Sequence, residues 1–128
     1  MKSNTLKQLK PFLEHILGET DYLIDQSANL SYPGFEKSET LKRSFVRALE
    51  VIGEAAKNIP DDFRENYLQV AWKEMAGLRD ILIHRYFGIN YRMVWDVTIN
   101  KIPDLKSNIQ SILREMEEEQ HSGQPKKD

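Results

Sequence analysis

The chain predicts an all-α fold, an up-and-down four-helix bundle with one short extra helix. Three observations carry this expectation. Apolar residues recur at three-and-four spacing through each long stretch, as they do in helices that bury one face. Turn signals built on Pro, Gly and Ser separate these stretches. No segment shows the strict apolar/polar alternation of a strand, and no internal repeat is present. With 128 residues there is room for a single core and one domain, expected over residues 1–118. Residues 119–128 are too polar to pack and read as a disordered tail.

Leu9, Leu13, Ile16, Leu17, Leu23 and Ile24 place the first helix over Leu9–Ser27. Pro11 suits only a first turn, so the residues before it read as a frayed or separate lead-in. His15 has polar neighbours and reads as an ordinary surface residue. Asn29–Lys37 contains Ser-Tyr-Pro-Gly and reads as a loop. Ser38 then caps a helix whose stripe includes Leu41, Phe45, Leu49, Ile52 and Ala56, with Gly53 small enough to admit a close neighbour. Pro60-Asp61-Asp62 opens a short helix, because a proline fits the first turn and acids suit its positive end. A helix from Ala71 to Phe87 follows, then a turn at Phe87-Gly88-Ile89. Tyr91, Val94, Trp95 and Thr98 mark a further helix. Pro103 either kinks it or opens the next, which buries Ile102, Leu105, Ile109 and Ile112.

The stretch Gly77–Tyr86 carries the chemistry. At about 100° per residue, Ile81, Leu78, Leu82, Met75, Trp72, Ile83 and Ala76 form one apolar arc, and Arg79 falls inside it. A guanidinium stays charged, so a buried Arg79 must find a carboxylate, open onto a cleft or face another chain. Glu50 and Glu54, one turn apart on the preceding long helix, are both candidate counter-ions, and both could equally be solvated. Asp80 and His84 are four apart on the polar edge, where the carboxylate could orient the imidazole. The competing reading is structural: a His–Arg pair at a helix C-terminus simply complements the dipole.

Other chemistries find little support. Net charge is −2, so no global basic field draws nucleic acid, and any RNA contact needs a local cleft. Cysteine is absent, which excludes a disulfide framework and a thiol nucleophile. The three histidines have no ligand-like spacing, and no phosphate loop or nucleophile elbow occurs, so no metal or cofactor is expected. No secretion signal or apolar membrane span is present, which makes a soluble cytoplasmic protein the expectation.

Arg79-Asp-Ile-Leu-Ile-His84-Arg-Tyr86 is an Arg, four residues, a His, one residue and a Tyr. This resembles the motif of HepT-like toxins of the HEPN superfamily. Three further blocks resemble the same family in order: Arg47 to Lys57, Trp72 to Arg79 with Tyr86-Phe-Gly, and Trp95 to Lys106. The resemblance covers roughly residues 10–115. It implies an HEPN-like bundle acting as a homodimeric, metal-independent endoribonuclease, the toxin half of a type II or type VII-like toxin–antitoxin pair. The implied partners are RNA, not DNA, and a minimal nucleotidyltransferase antitoxin. Arg79 and His84 take the positions of the catalytic pair, with Asp80 beside them and Arg85 available to RNA. Tyr86 takes the position of the tyrosine the partner adenylylates. On a straight helix Arg79 and His84 are about 140° apart, which makes sense if two motif helices meet across a two-fold axis. The alternative is a non-catalytic helical dimer that docks a nucleotidyltransferase; a third reading is a purely structural bundle in which Arg79 is held in a buried ion pair.

Overall fold

The computed structural model describes residues 3–84 and 88–122, with side chains for 6–84 and 88–119. Every regular element among them is a helix: α1 (Ser3–Ser27), α2 (Tyr32–Glu36), α3 (Glu39–Lys57), α4 (Asp61–Arg64), α5 (Trp72–His84), α6 (Tyr91–Asn100) and α7 (Ile102–Ser122). Helices α1, α3 and α7 form the centre, with α1 packing on both of the others. Their fully buried side chains include Leu13, Ile16 and Leu23 from α1, Phe45 and Leu49 from α3, and Ile109 and Ile112 from α7. Lys106 Nζ lies 2.9 Å from Asp21 Oδ1 and ties α7 to α1 at the surface.

The expected cap at Ser38 forms, accepting a hydrogen bond from the Leu41 N–H at the start of α3. Asn90, not singled out in the sequence, does the same for Met93 at the start of α6. At the far end of α3, Arg64 of α4 donates to the Ile59 and Ala56 carbonyls at 2.9 and 2.7 Å. A cation there satisfies orphan carbonyls and complements the dipole. Pro103 opens α7 within its first turn, so α6 and α7 are separate helices.

Four expectations are corrected. Helix α1 begins at Ser3 and runs through Pro11, not from a break at Leu9. Leu6 and Leu9 are each 5 % exposed, and burying them offsets the hydrogen bond that Pro11 cannot make. Asn29–Lys37 is not simply a loop, because α2 lies within it. Ser31 accepts from Gly34 N–H, Pro33 sits in the first turn, and Phe35 is fully buried against Phe45 and Trp95. Helix α7 continues to Ser122, four residues into the stretch read as a tail. Finally, the apolar arc of α5 is not a buried face: only Trp72 and Leu82 are buried, while Ile81 is 49 % and Ile83 39 % exposed. Among the described residues, α5 packs extensively on α3 alone, so much of its circumference has no partner.

Candidate active site

The site is built where α5 lies against α3, and one glycine sets the distance between them. A Cβ on the buried Gly53 would stand 2.2 Å from Arg79 Cβ and 2.7 Å from the Met75 carbonyl oxygen. Only a residue without a side chain permits that approach. It brings the Arg79 backbone directly over α3 at Gly53, which is next to Glu54 in the chain and about one turn from Glu50.

Arg79 finds its counter-ions there. Its Nε is buried and lies 2.8 Å from Glu54 Oε2, off the N–H axis, so the contact is an ion pair and not an aligned hydrogen bond. Its Nη1 donates to Asp80 Oδ1 at 3.1 Å, and Lys57 Nζ donates to the same oxygen. The result is a ladder of alternating charge, Glu54–Arg79–Asp80–Lys57, whose outer members come from α3 and inner members from α5. Lys57, and secondarily Arg79, hold the Asp80 carboxyl below the usual carboxylate range. Among the described residues Arg79 Nη2 makes no bond, so the guanidinium keeps one donor free.

Arg79 opens onto a cleft of about 290 Å³ at the meeting of α1, α3 and α5. Phe12, Val51 and Ile83 supply apolar walls, and Arg47, Glu50 and Glu54 supply polar groups from α3. His15 of α1 also lines it. The sequence reading placed His15 on the surface, and exposed it is, but it shares the cleft with Arg79. No local pattern could have shown this, because it depends on α1 lying beside α3.

His84 is the last residue of α5, exposed and not part of that cleft. The expected Asp80–His84 pairing is corrected: Asp80 is engaged by Lys57 and Arg79, and no hydrogen bond joins it to His84. Lys57 of α3 and the neighbouring Arg79 of α5 take up the carboxylate, one turn before His84. Arg85 and Tyr86, the other residues singled out in the motif, lie outside the described residues. Among the described residues no three His, Cys, Asp or Glu side chains are grouped to hold a metal ion. No helix among them is long and apolar enough to cross a membrane.

The described residues thus form a helical bundle that clamps Arg79 between carboxylates beside a cleft, with the exposed His84 at the end of the same helix. Comparison with known proteins assigns its class. The family described as Ribonuclease HepT-like matches residues 3–112, and the chain belongs to this ribonuclease family of the HEPN superfamily. It is 49 % identical over 109 residues to a protein of Caldanaerobacter subterraneus provisionally named an RNase, covering 85 % of this chain and 97 % of that one. A similarly named protein of Methanocaldococcus jannaschii is 45 % identical over 113 residues, covering 88 % and 93 %. A protein of Thermococcus cleftensis named as a probable ribonuclease HepT is 36 % identical over 103 residues, covering 80 % and 94 %. No solved structure matches the chain.

Proposed function

We propose that this ribonuclease is a metal-independent endoribonuclease acting in the cytoplasm as a homodimer, and the toxin half of a toxin–antitoxin pair. The observation that carries the catalytic reading is Arg79: it is fixed at a cleft by Gly53, Glu54 and Asp80, and among the described residues its Nη2 has no hydrogen-bond partner, which suits it to meet a phosphate. RNA brings its own nucleophile. The 2′-oxygen attacks phosphorus while the bond to the 5′-oxygen breaks, leaving a 2′,3′-cyclic phosphate and a 5′-hydroxyl. His84 takes the 2′-proton or delivers one to the departing 5′-oxygen. Arg79 stabilises the added negative charge on the five-coordinate phosphorus, where a planar fork suits two oxygens. Asp80 acts on Arg79, as a positioning residue, and Arg85 adds charge for RNA.

The homodimer reading is supported by what α5 leaves uncovered. His84 does not reach the cleft of its own protomer, and Met75, Leu78 and Ile81 flank an apolar groove of about 630 Å³ between α5, α6 and α7. A second copy packed on α5 would cover this surface and bring a partner histidine toward Arg79. The antitoxin is a minimal nucleotidyltransferase that neutralises the enzyme at Tyr86. There the phenol, its proton taken by a base of the transferase, attacks the α-phosphorus of ATP, pyrophosphate leaves, and the attached AMP adds negative charge and bulk to a protein that must hold RNA.

The test is cleavage by protein freed of metal with EDTA. Products should end in 2′,3′-cyclic phosphate, and His84→Ala should lower the rate about 10²–10⁴-fold. A requirement for Mg²⁺, or 3′-hydroxyl ends, overturns the mechanism. The second reading, a non-catalytic dimer that docks a nucleotidyltransferase, draws on the same uncovered face of α5. It requires that metal-free protein cut no RNA yet co-purify with the transferase. Intact-mass measurement after co-expression should show AMP on Tyr86 and none on Tyr86→Phe.

A further inference from the structure

The cleft beside Arg79 has as many carboxylates as guanidiniums, with His15 also in its lining. Its guanidiniums, Arg47 and Arg79, face two carboxylates, Glu50 and Glu54. An anion subsite would show an excess of cations, so a second phosphate is a poor occupant. Phe12, Val51 and Ile83 instead give it apolar lining among its polar groups, which suits a neutral ring with a polar edge. At about 290 Å³ it has room for one nucleobase.

The groups at the rim are not equally committed. Glu54 is taken by Arg79 Nε, and Arg79 Nη1 by Asp80. Arg47 and Glu50 are a turn apart on α3, both line the cleft, and neither has a hydrogen bond or ion pair among the described residues. One free donor fork and one free two-oxygen acceptor therefore stand side by side. Guanine presents the matching edges: O6 and N7 as adjacent acceptors, N1–H and N2–H as adjacent donors. Uracil and adenine have no second donor for the carboxylate, and cytosine offers a single amino group.

We infer that this cleft is a guanine pocket, in which Arg47 donates to O6 and N7 and Glu50 accepts from N1–H and N2–H, seating a guanosine next to the phosphate held by Arg79. This rests on the ribonuclease reading for its substrate, and it adds the base beside which the chain is cut. Single-stranded RNA is commonly read in this way, through splayed bases with exposed edges.

Binding separates the two claims. Fluorescence anisotropy would be measured with 2′-O-methyl oligouridylate carrying one guanosine, one inosine or one 7-deazaguanosine, none of which can be cut by 2′-oxygen attack. The guanosine oligomer should bind about tenfold tighter than plain oligouridylate, the usual scale of a good bidentate contact. Inosine, lacking the N2 amino group, should lose most of that gain against the wild type but show no difference from guanosine against Glu50→Met. For 7-deazaguanosine the same pattern should appear with Arg47→Met. Circular dichroism confirms the fold of each variant, and the inosine and 7-deaza series on the wild type decides the matter if a variant does not fold. Equal binding of guanosine and plain oligomers, or a preference untouched by both substitutions, overturns the pocket. Unmodified RNA that is cut with no base pattern likewise overturns the pocket while sparing the ribonuclease reading. Guanosine-selective binding by a protein that cuts no RNA does the reverse.

Discussion

Gly53 and Arg79 are the residues on which the site turns. An alanine at 53 would ordinarily favour a helix interior by roughly 0.5–1 kcal/mol. Here its Cβ would meet Arg79 Cβ and the Met75 carbonyl well inside contact distance, so α3 and α5 must separate. Overpacking of that kind costs about 1–3 kcal/mol and wins over propensity. Gly53→Ala should therefore lower the urea midpoint and reduce RNA cleavage more than it reduces helicity; an unchanged midpoint would contradict the close approach. Asp80 gives a pH signature. Its carboxyl is held below its ordinary value of 3.8 by Lys57 and Arg79, so its contribution to stability is complete above that value and is lost as pH falls through the lower folded one. Thermal melts of wild type and Asp80→Asn should differ most near neutral pH and converge at pH values below 3.8. A gap that persists in acid would assign the effect to shape and not charge.

At the scale of elements, two short stretches do more than their length suggests. Helix α2 brings Phe35 into a cluster with Phe45 at 4.9 Å and Trp95 at 5.4 Å between ring centroids, joining α3 to α6. Truncating a fully buried phenylalanine typically costs about 3–5 kcal/mol, so Phe35→Ala should sharply lower the melting temperature. Helix α1 carries the opposite case. Pro11 is exposed inside a continuous helix, where it forfeits a bond from position 11 to the Lys7 carbonyl. Pro11→Ala restores that donor and should raise the melting temperature. A fall would mean that proline's restriction of the unfolded chain matters more.

For the whole molecule, the uneven burial is the informative feature. Helices α1, α3 and α7 enclose a conventional core, whereas α5, which carries the site, is buried only at Trp72 and Leu82. Apolar residues left half-covered beside functional groups mark an interface more often than a folding defect. Light scattering should report a dimer at micromolar concentration. Ile81→Glu should leave the helical signal intact, since that side chain is 49 % exposed, while shifting the mass to a monomer and abolishing cleavage.

Much of this was legible in the chain, for reasons that can be named. Helix stripes such as Leu41 to Ala56, and caps such as Ser38, depend on residues within one or two turns of one another, so periodicity and side-chain chemistry determine them. Arg79 within an apolar arc already demanded a counter-ion, and the ordered HepT-like blocks pointed to the family. The choice among partners was not local. Glu54 over Glu50, Lys57 over His84 for Asp80, and the entry of His15 into the cleft all follow from how closely and at what rotation α5 and α1 settle on α3. Those distances are set by the volumes packed between helices, which no single segment contains. The sequence by itself determined that a charged, motif-bearing helix would be held in an all-helical fold; only the tertiary structure decided which carboxylates hold Arg79 and that, among the described residues, Arg47 and Glu50 line its cleft without a partner.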